Sequence, residues 1–136
     1  METNISNKCK AYTSLKQSKK LAEILPHKSA DGTWEKVSIC GAKIDIHEDM
    51  QYRHNEIPFS FFSGIGVPSW SLAALLNILP TIDDRNAVFC KDVRCDKWHI
   101  FYHGTATLPL IDTERYHDIV DACVELIIKL HEQKLL

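Results

Sequence analysis

Several features are missing from this chain, and each absence removes a class of protein. Its 136 residues carry a formal net charge of only -2, so no general basic excess pulls it toward nucleic acid. No stretch reaches the ~20 apolar residues of a membrane span. Residues 1–10 are polar and hold no apolar core segment, so a secretory leader is not expected. The five cysteines, at positions 9, 40, 90, 95 and 123, are odd in number and unevenly spaced, which argues against a disulfide framework. The segment Gly64-Ile65-Gly66-Val67-Pro68 lacks the third glycine, the lysine and the strand-loop-helix context of a phosphate cradle.

What remains has the composition of a globular domain, with 45% hydrophobic and 25% charged residues. The reading is a polar arm over 1–12 and one α+β domain over 13–136, in the cytoplasm.

The densest apolar run covers 69–79, between Pro68 and Pro80, where only Ser69, Ser71 and Asn77 are polar. A helix apolar nearly all round must be buried. The run therefore predicts a central helix with both Leu75 and Leu76 inaccessible. Ser14 and Gln17 have capping-box spacing and predict an earlier helix reaching about residue 25, where Pro26 stops it. Asp118 is placed to cap a closing helix over about 118–133, with Glu125 and Lys129 paired four apart on its solvent side. Val120, Val124 and Ile127 should face the sheet, with Cys123 beside the central helix.

Trp34, Val37 and Ile39 alternate as a strand does, and a second strand is expected over 42–47. Residues 48–58 read as a loop that returns to the core through Phe59, Phe61 and Phe62. Two β-rich runs, 87–89 and 98–102, flank a polar stretch and predict an antiparallel hairpin. These elements amount to three helices packed on an antiparallel sheet of about four strands. Leu21-Ala22-Glu23-Ile24-Leu25-Pro26 echoes Leu75-Leu76-Asn77-Ile78-Leu79-Pro80, which leaves open a helix-strand-strand pseudo-repeat.

Candidate chemistry gathers on the second hairpin. Cys90, Cys95, His99 and His103 invite a zinc reading, yet the cysteine spacing lacks the glycine of a tight knuckle. On a strand His99 and His103 stand ~13 Å apart, too far for joint ligation. His47 and His54 flank Glu48 and Asp49 in a loose cluster better read as solvated. Cys40 or Cys90 could serve as a nucleophile with His99 or His103 as base, though no local signature marks either. Lys16, Lys19, Lys20 and Lys28 form a basic face that solvent explains as well as phosphate does. Strand alternation sets Trp98, Ile100 and Tyr102 on one face and His99, Phe101 and His103 on the other, leaving the second face to a partner.

Three blocks carry a resemblance. They are Gln17-Ser18-Lys19-Lys20-Leu21-Ala22-Glu23-Ile24-Leu25-Pro26, Pro68-Ser69-Trp70-Ser71-Leu72-Ala73-Ala74-Leu75-Leu76-Asn77-Ile78-Leu79-Pro80, and Asp121-Ala122-Cys123-Val124-Glu125-Leu126-Ile127-Ile128-Lys129-Leu130-His131. In this order they resemble a family of small uncharacterised proteins of prophages and other mobile elements in gut anaerobic bacteria. The resemblance covers about a quarter of the chain and implies a phage-related origin and an intracellular life. It transfers no activity and no site residue.

The resulting expectation is a non-enzymatic binding or accessory module without cofactor or metal, engaging a protein partner through His99, Phe101 and His103. The alternatives are a small enzyme using a Cys/His pair or a metal, and a nucleic-acid-binding protein, the latter disfavoured by charge. Ile128, Leu135 and Leu136 form a rim that would suit a homodimer.

Overall fold

The computed structural model describes residues 10–36, 50–54 and 66–136. Their fold is α+β, as expected: three α-helices and two three-stranded antiparallel sheets, in place of one sheet of about four strands. The chain divides into two compact units whose boundary, between Ala74 and Leu75, falls inside the middle helix.

In the unit covering 12–74, helix α1 spans Leu15–Ala22. Ser14 Oγ accepts the Gln17 N–H at 3.1 Å and Gln17 Oε1 accepts the Ser14 N–H at 3.0 Å, completing the anticipated capping box. The helix stops three residues earlier than expected. Ile24 and Leu25 both donate to the Leu21 carbonyl, and the chain then enters a single 3-10 turn, His27–Ser29. Strand β1, Gly32–Lys36, lies between β2, Met50–His54, and β3, Val67–Ser69. Gly32 pairs with His54 on one side and with Ser69 on the other.

Two of these strands correct the sequence reading. Residues 50–54 lie in the stretch read as a loop, and 67–69 in the approach to the helix. Backbone pairing to β1 supplies what side-chain hydrophobicity does not signal, since the ladder uses main-chain groups alone. Pro68, which has no N–H to give, sits on a strand at the sheet's described edge. The anticipated strand at 42–47, the residues after 36 in the first strand, Phe59, Phe61 and Phe62, and residues 1–9 of the arm lie outside the described residues.

Trp70 is wholly buried here, but not on a helix. Thr13 holds it by two bonds, donating its N–H to the Trp70 carbonyl at 2.9 Å and accepting the Trp70 N–H on Oγ1 at 3.2 Å. The indole Nε1 donates to Ser29 Oγ at 2.9 Å. Ser71 then accepts the Ala74 N–H at 3.2 Å on Oγ, and the Asp31 carboxylate accepts both the N–H and the hydroxyl of Ser71. Ser71 therefore acts as the helix's capping residue, and α2 starts after it, at Leu72–Ile78, shorter than the 69–79 run. Leu75 is fully buried while Leu76 is 41% exposed, so the expectation that both are inaccessible fails for Leu76.

In the other unit, strands β4, Val88–Asp92, β5, Lys97–Tyr102, and β6, Ile111–Asp112, form a meander with β5 central. The hairpin anticipated between 87 and 102 is β4–β5. Its turn closes at Asp96, in the left-handed region at φ 54°. A tighter reversal precedes β4, where Asp83 and Asp84 both have positive φ and Ile82 and Arg85 exchange two backbone bonds. Two central residues with positive φ define a type I′ turn, and aspartate tolerates that conformation better than most residues.

Helix α3, Ile119–Glu132, packs on β5. Asp118 Oδ1 accepts the Val120 N–H at 2.8 Å, the predicted cap, and Glu125 and Lys129 pair at 3.5 Å. Val120, Cys123, Val124, Leu126, Ile127 and Leu130 are buried with Ile100 and Tyr102 of the sheet. Ile128 is half-buried, and Leu135 and Leu136 are exposed.

The two units echo each other in element order, each following a helix with three strands. They differ in topology. The first strand is central in one sheet (β2-β1-β3) and the middle strand in the other (β4-β5-β6).

Candidate functional site

The alternation expected of β5 is realised. Ile100 and Tyr102 are fully buried, and the Tyr102 hydroxyl donates to the Pro80 carbonyl at 2.8 Å. Burial pushes this phenol's pKa above its ordinary value, with the Arg85 charge working against that rise. Trp98 is half-buried, with the Lys91 ammonium 5.6 Å from its ring centroid.

On the opposite face His99, Phe101 and His103 form one continuous row of rings. His99 stacks on Phe101 at 5.2 Å with 22° between planes, and Phe101 meets His103 edge-to-face at 4.9 Å. The Phe101 ring thus touches both imidazoles and separates them. His103 is exposed and Phe101 half-exposed, whereas the His99 side chain keeps 13% of its surface.

The register names the neighbours of this row. Phe101 lies opposite Val88 of β4 and Asp112 of β6, and His99 lies opposite Cys90. Asp112 Oδ1 reaches diagonally to His99 Nδ1 at 3.0 Å. The same oxygen accepts the Thr113 N–H at 2.8 Å, and Lys129 of α3 donates to the Asp112 carbonyl at 2.6 Å. The Thr113 N–H therefore holds the carboxylate, and Lys129 of α3 holds the main chain of Asp112.

At the far end of the row, Arg85 Nη1 donates to the carbonyls of His103 at 2.6 Å and Pro109 at 2.9 Å, clamping both ends of the connection to β6. A Cβ placed on Gly104 would stand 3.0 Å from the backbone nitrogen of Leu110, tighter than most side chains pack, so glycine suits this close approach.

Of the residues singled out from sequence, the structure gathers Cys90, His99, Phe101 and His103 on one face. Cys95 is exposed in the β4–β5 turn, away from the row. Among the described residues, no three His, Cys, Asp or Glu side chains are placed to hold a metal ion. His54 lies on β2, and His47 and Cys40 are outside the described residues.

Two participants escaped the sequence reading. Asp112 is thirteen residues beyond His99, and only the β5–β6 pairing brings them together. Arg85 is eighteen residues before His103 and had no motif to mark it.

Compared with family models, curated proteins and solved structures, the chain matches none. Among the described residues no helix is long and apolar enough to cross a membrane.

Proposed function

We propose that this chain is a small non-enzymatic binding module of phage or mobile-element origin, working in the host cytoplasm. Its protein partner docks on the outer face of the β4-β5-β6 sheet. The observation that supports this reading is the ring row of His99, Phe101 and His103, carried on a central strand, with His103 exposed and Phe101 half-exposed. Hydrogen-bonded neighbours on both sides hold that strand, so the rings are ordered before any partner arrives, and ordering costs at an interface are correspondingly small. Aromatic side chains at the centre of a patch, with polar groups around them, supply most of the energy at typical interfaces. Here Phe101 is the apolar centre, and His103 and the carboxylate of Asp112 are the polar surround.

The test is affinity capture from phage-induced host cells with wild-type protein, Phe101→Ala and His103→Ala. A protein retained by wild type should be lost, by tenfold or more in yield, with Phe101→Ala, which corresponds to ~1.4 kcal/mol. His103→Ala, at an exposed position, should weaken capture without altering the melting temperature. Equal capture by all three chains would place the interaction elsewhere. Capture of nucleic acid that is lost with salt would replace the protein partner by a polyanion.

A further inference from the structure

The face that carries the ring row also sets a thiol, an imidazole and a carboxylate side by side on three adjacent strands. Cys90 on β4 is the register partner of His99 on β5. Directly opposed residues in an antiparallel pair project from the same face with Cβ atoms ~5 Å apart. On the other side of His99, Asp112 Oδ1 takes Nδ1 at 3.0 Å. An ionised carboxylate only accepts, so this bond fixes the proton of the neutral imidazole on Nδ1 and leaves Nε2 as a base. The stack on Phe101 and the 13% residual exposure of His99 restrict the ring's reorientation, while the thiol opposite is exposed. A nucleophile beside a base that a third group orients is the arrangement an activated thiol needs.

We infer that Cys90 is a reactive thiol, with His99 as its general base and Asp112 as a positioning residue, and that it takes small disulfides and other soft electrophiles. In the step, the Sγ proton passes to His99 Nε2 as sulfur attacks one sulfur of the disulfide. The old S–S bond breaks as the new one forms, and the departing thiolate takes the proton from Nε2. The products are a mixed disulfide on Cys90 and one small thiol, with the disulfide as the only oxidant. The inference does not rest on the partner reading.

Lys97, two residues before His99, Asp92 opposite Lys97, and His103 beyond Phe101 share this face. The chain supplies its own controls. Cys95 is also exposed but sits in the turn, outside the β4–β5 register that sets His99 opposite Cys90; the histidine nearest in the hydrogen-bond network, His117, is engaged with the carbonyl of Asp96. Cys123 is wholly buried in α3, which pushes its thiol up to about 12.

The experiment treats reduced full-length protein with limiting iodoacetamide and, separately, with an aromatic disulfide, and follows each cysteine-bearing peptide by mass spectrometry. Near neutral pH, Cys90 should react about tenfold or more faster than Cys95, a modest share of what a positioned base can supply. His99→Ala should remove that advantage, and added imidazole should restore it, while the Cys95 rate stays unchanged. Asp112→Asn should slow Cys90, and Asp112→Glu, which keeps the acceptor, should recover part of the rate. Equal rates at Cys90 and Cys95 in the wild type would overturn the inference. So would a Cys90 rate unaffected by His99→Ala, and if that variant does not fold, the wild-type comparison still decides. The Cys90 and Cys95 rates are read on purified protein with no partner present, so they decide the thiol inference whatever the capture experiment shows, and the two readings fail separately.

Discussion

At the scale of single residues, Leu75 and Leu76 belong to one apolar run, yet the first is wholly buried and the second 41% exposed. Ala73 and Asn77 share the exposed side of α2, while Ala74 lies with Leu75 on the covered side. Composition shows how much apolar surface a helix has and not which face is covered, because leucine tolerates exposure. Substitution should separate the two positions. Leu75→Asp buries a charge without a partner and should cost upwards of ~4 kcal/mol, enough to unfold the protein or leave it insoluble. Leu76→Asp should change stability by no more than ~1 kcal/mol, read from urea unfolding. A Leu76→Asp protein that fails to fold would show that the helix is covered all round. Asp112 and Cys90 teach the same lesson at the site. Their residue types were plain in the sequence, but their nearness to His99 depends on strand register, which no local pattern encodes.

At the scale of elements, the helix starts were legible because capping is a local code. A side-chain oxygen must reach an N–H two or three residues on, so Ser14 with Gln17 and Asp118 before Val120 announce themselves. Ser71 obeys the same rule before Ala74, which is why α2 begins later than the apolar run. Asp118 also accepts the backbone N–H of Lys10 on its other oxygen at 2.7 Å, and Lys10 Nζ pairs with Asp121 at 2.6 Å, so Lys10 of the expected arm is tied to α3. Asp118→Ala should therefore cost ~1–2 kcal/mol in chemical denaturation, and Asp118→Ser, which keeps an acceptor for Val120, should recover about half of it. Equal losses in both variants would mean that the bond to Lys10 outweighs the cap. Strands β2 and β3 were less legible. The first is polar and the second three residues long, and each is defined by its partner β1 more than by its own side chains.

At the scale of the whole molecule, the buried thiol of Cys123 couples stability to pH. Its folded-state pKa, about 12, lies above the ordinary 9.0, raised first by burial and then by the Asp118 charge. A raised pKa means that the folded state holds the proton more tightly than the unfolded state. The contribution is thus fully present below pH 9 and is lost as pH climbs from about 9 toward 12. Its upper bound is ~4 kcal/mol at 1.36 kcal/mol per pKa unit. Unfolding free energies measured between pH 8 and 11 should fall for the wild type, and less steeply for Cys123→Ala. Parallel curves would show that other groups carry the alkaline loss.

The sequence by itself determined the α+β class, the three helices and the caps of the first and last, the β4–β5 hairpin and the two faces of β5. All of these follow from spacing within a few residues, where backbone geometry and hydrogen-bond reach leave little choice. Only the tertiary structure decided the split into two sheets, their different strand orders, the covered face of α2, the register of Cys90 opposite His99, and the bond from His99 to Asp112. These depend on which distant strands share a ladder. That choice is fixed by pairing and burial summed over the fold, and a one-residue slip in register would turn His99 away from both of its neighbours.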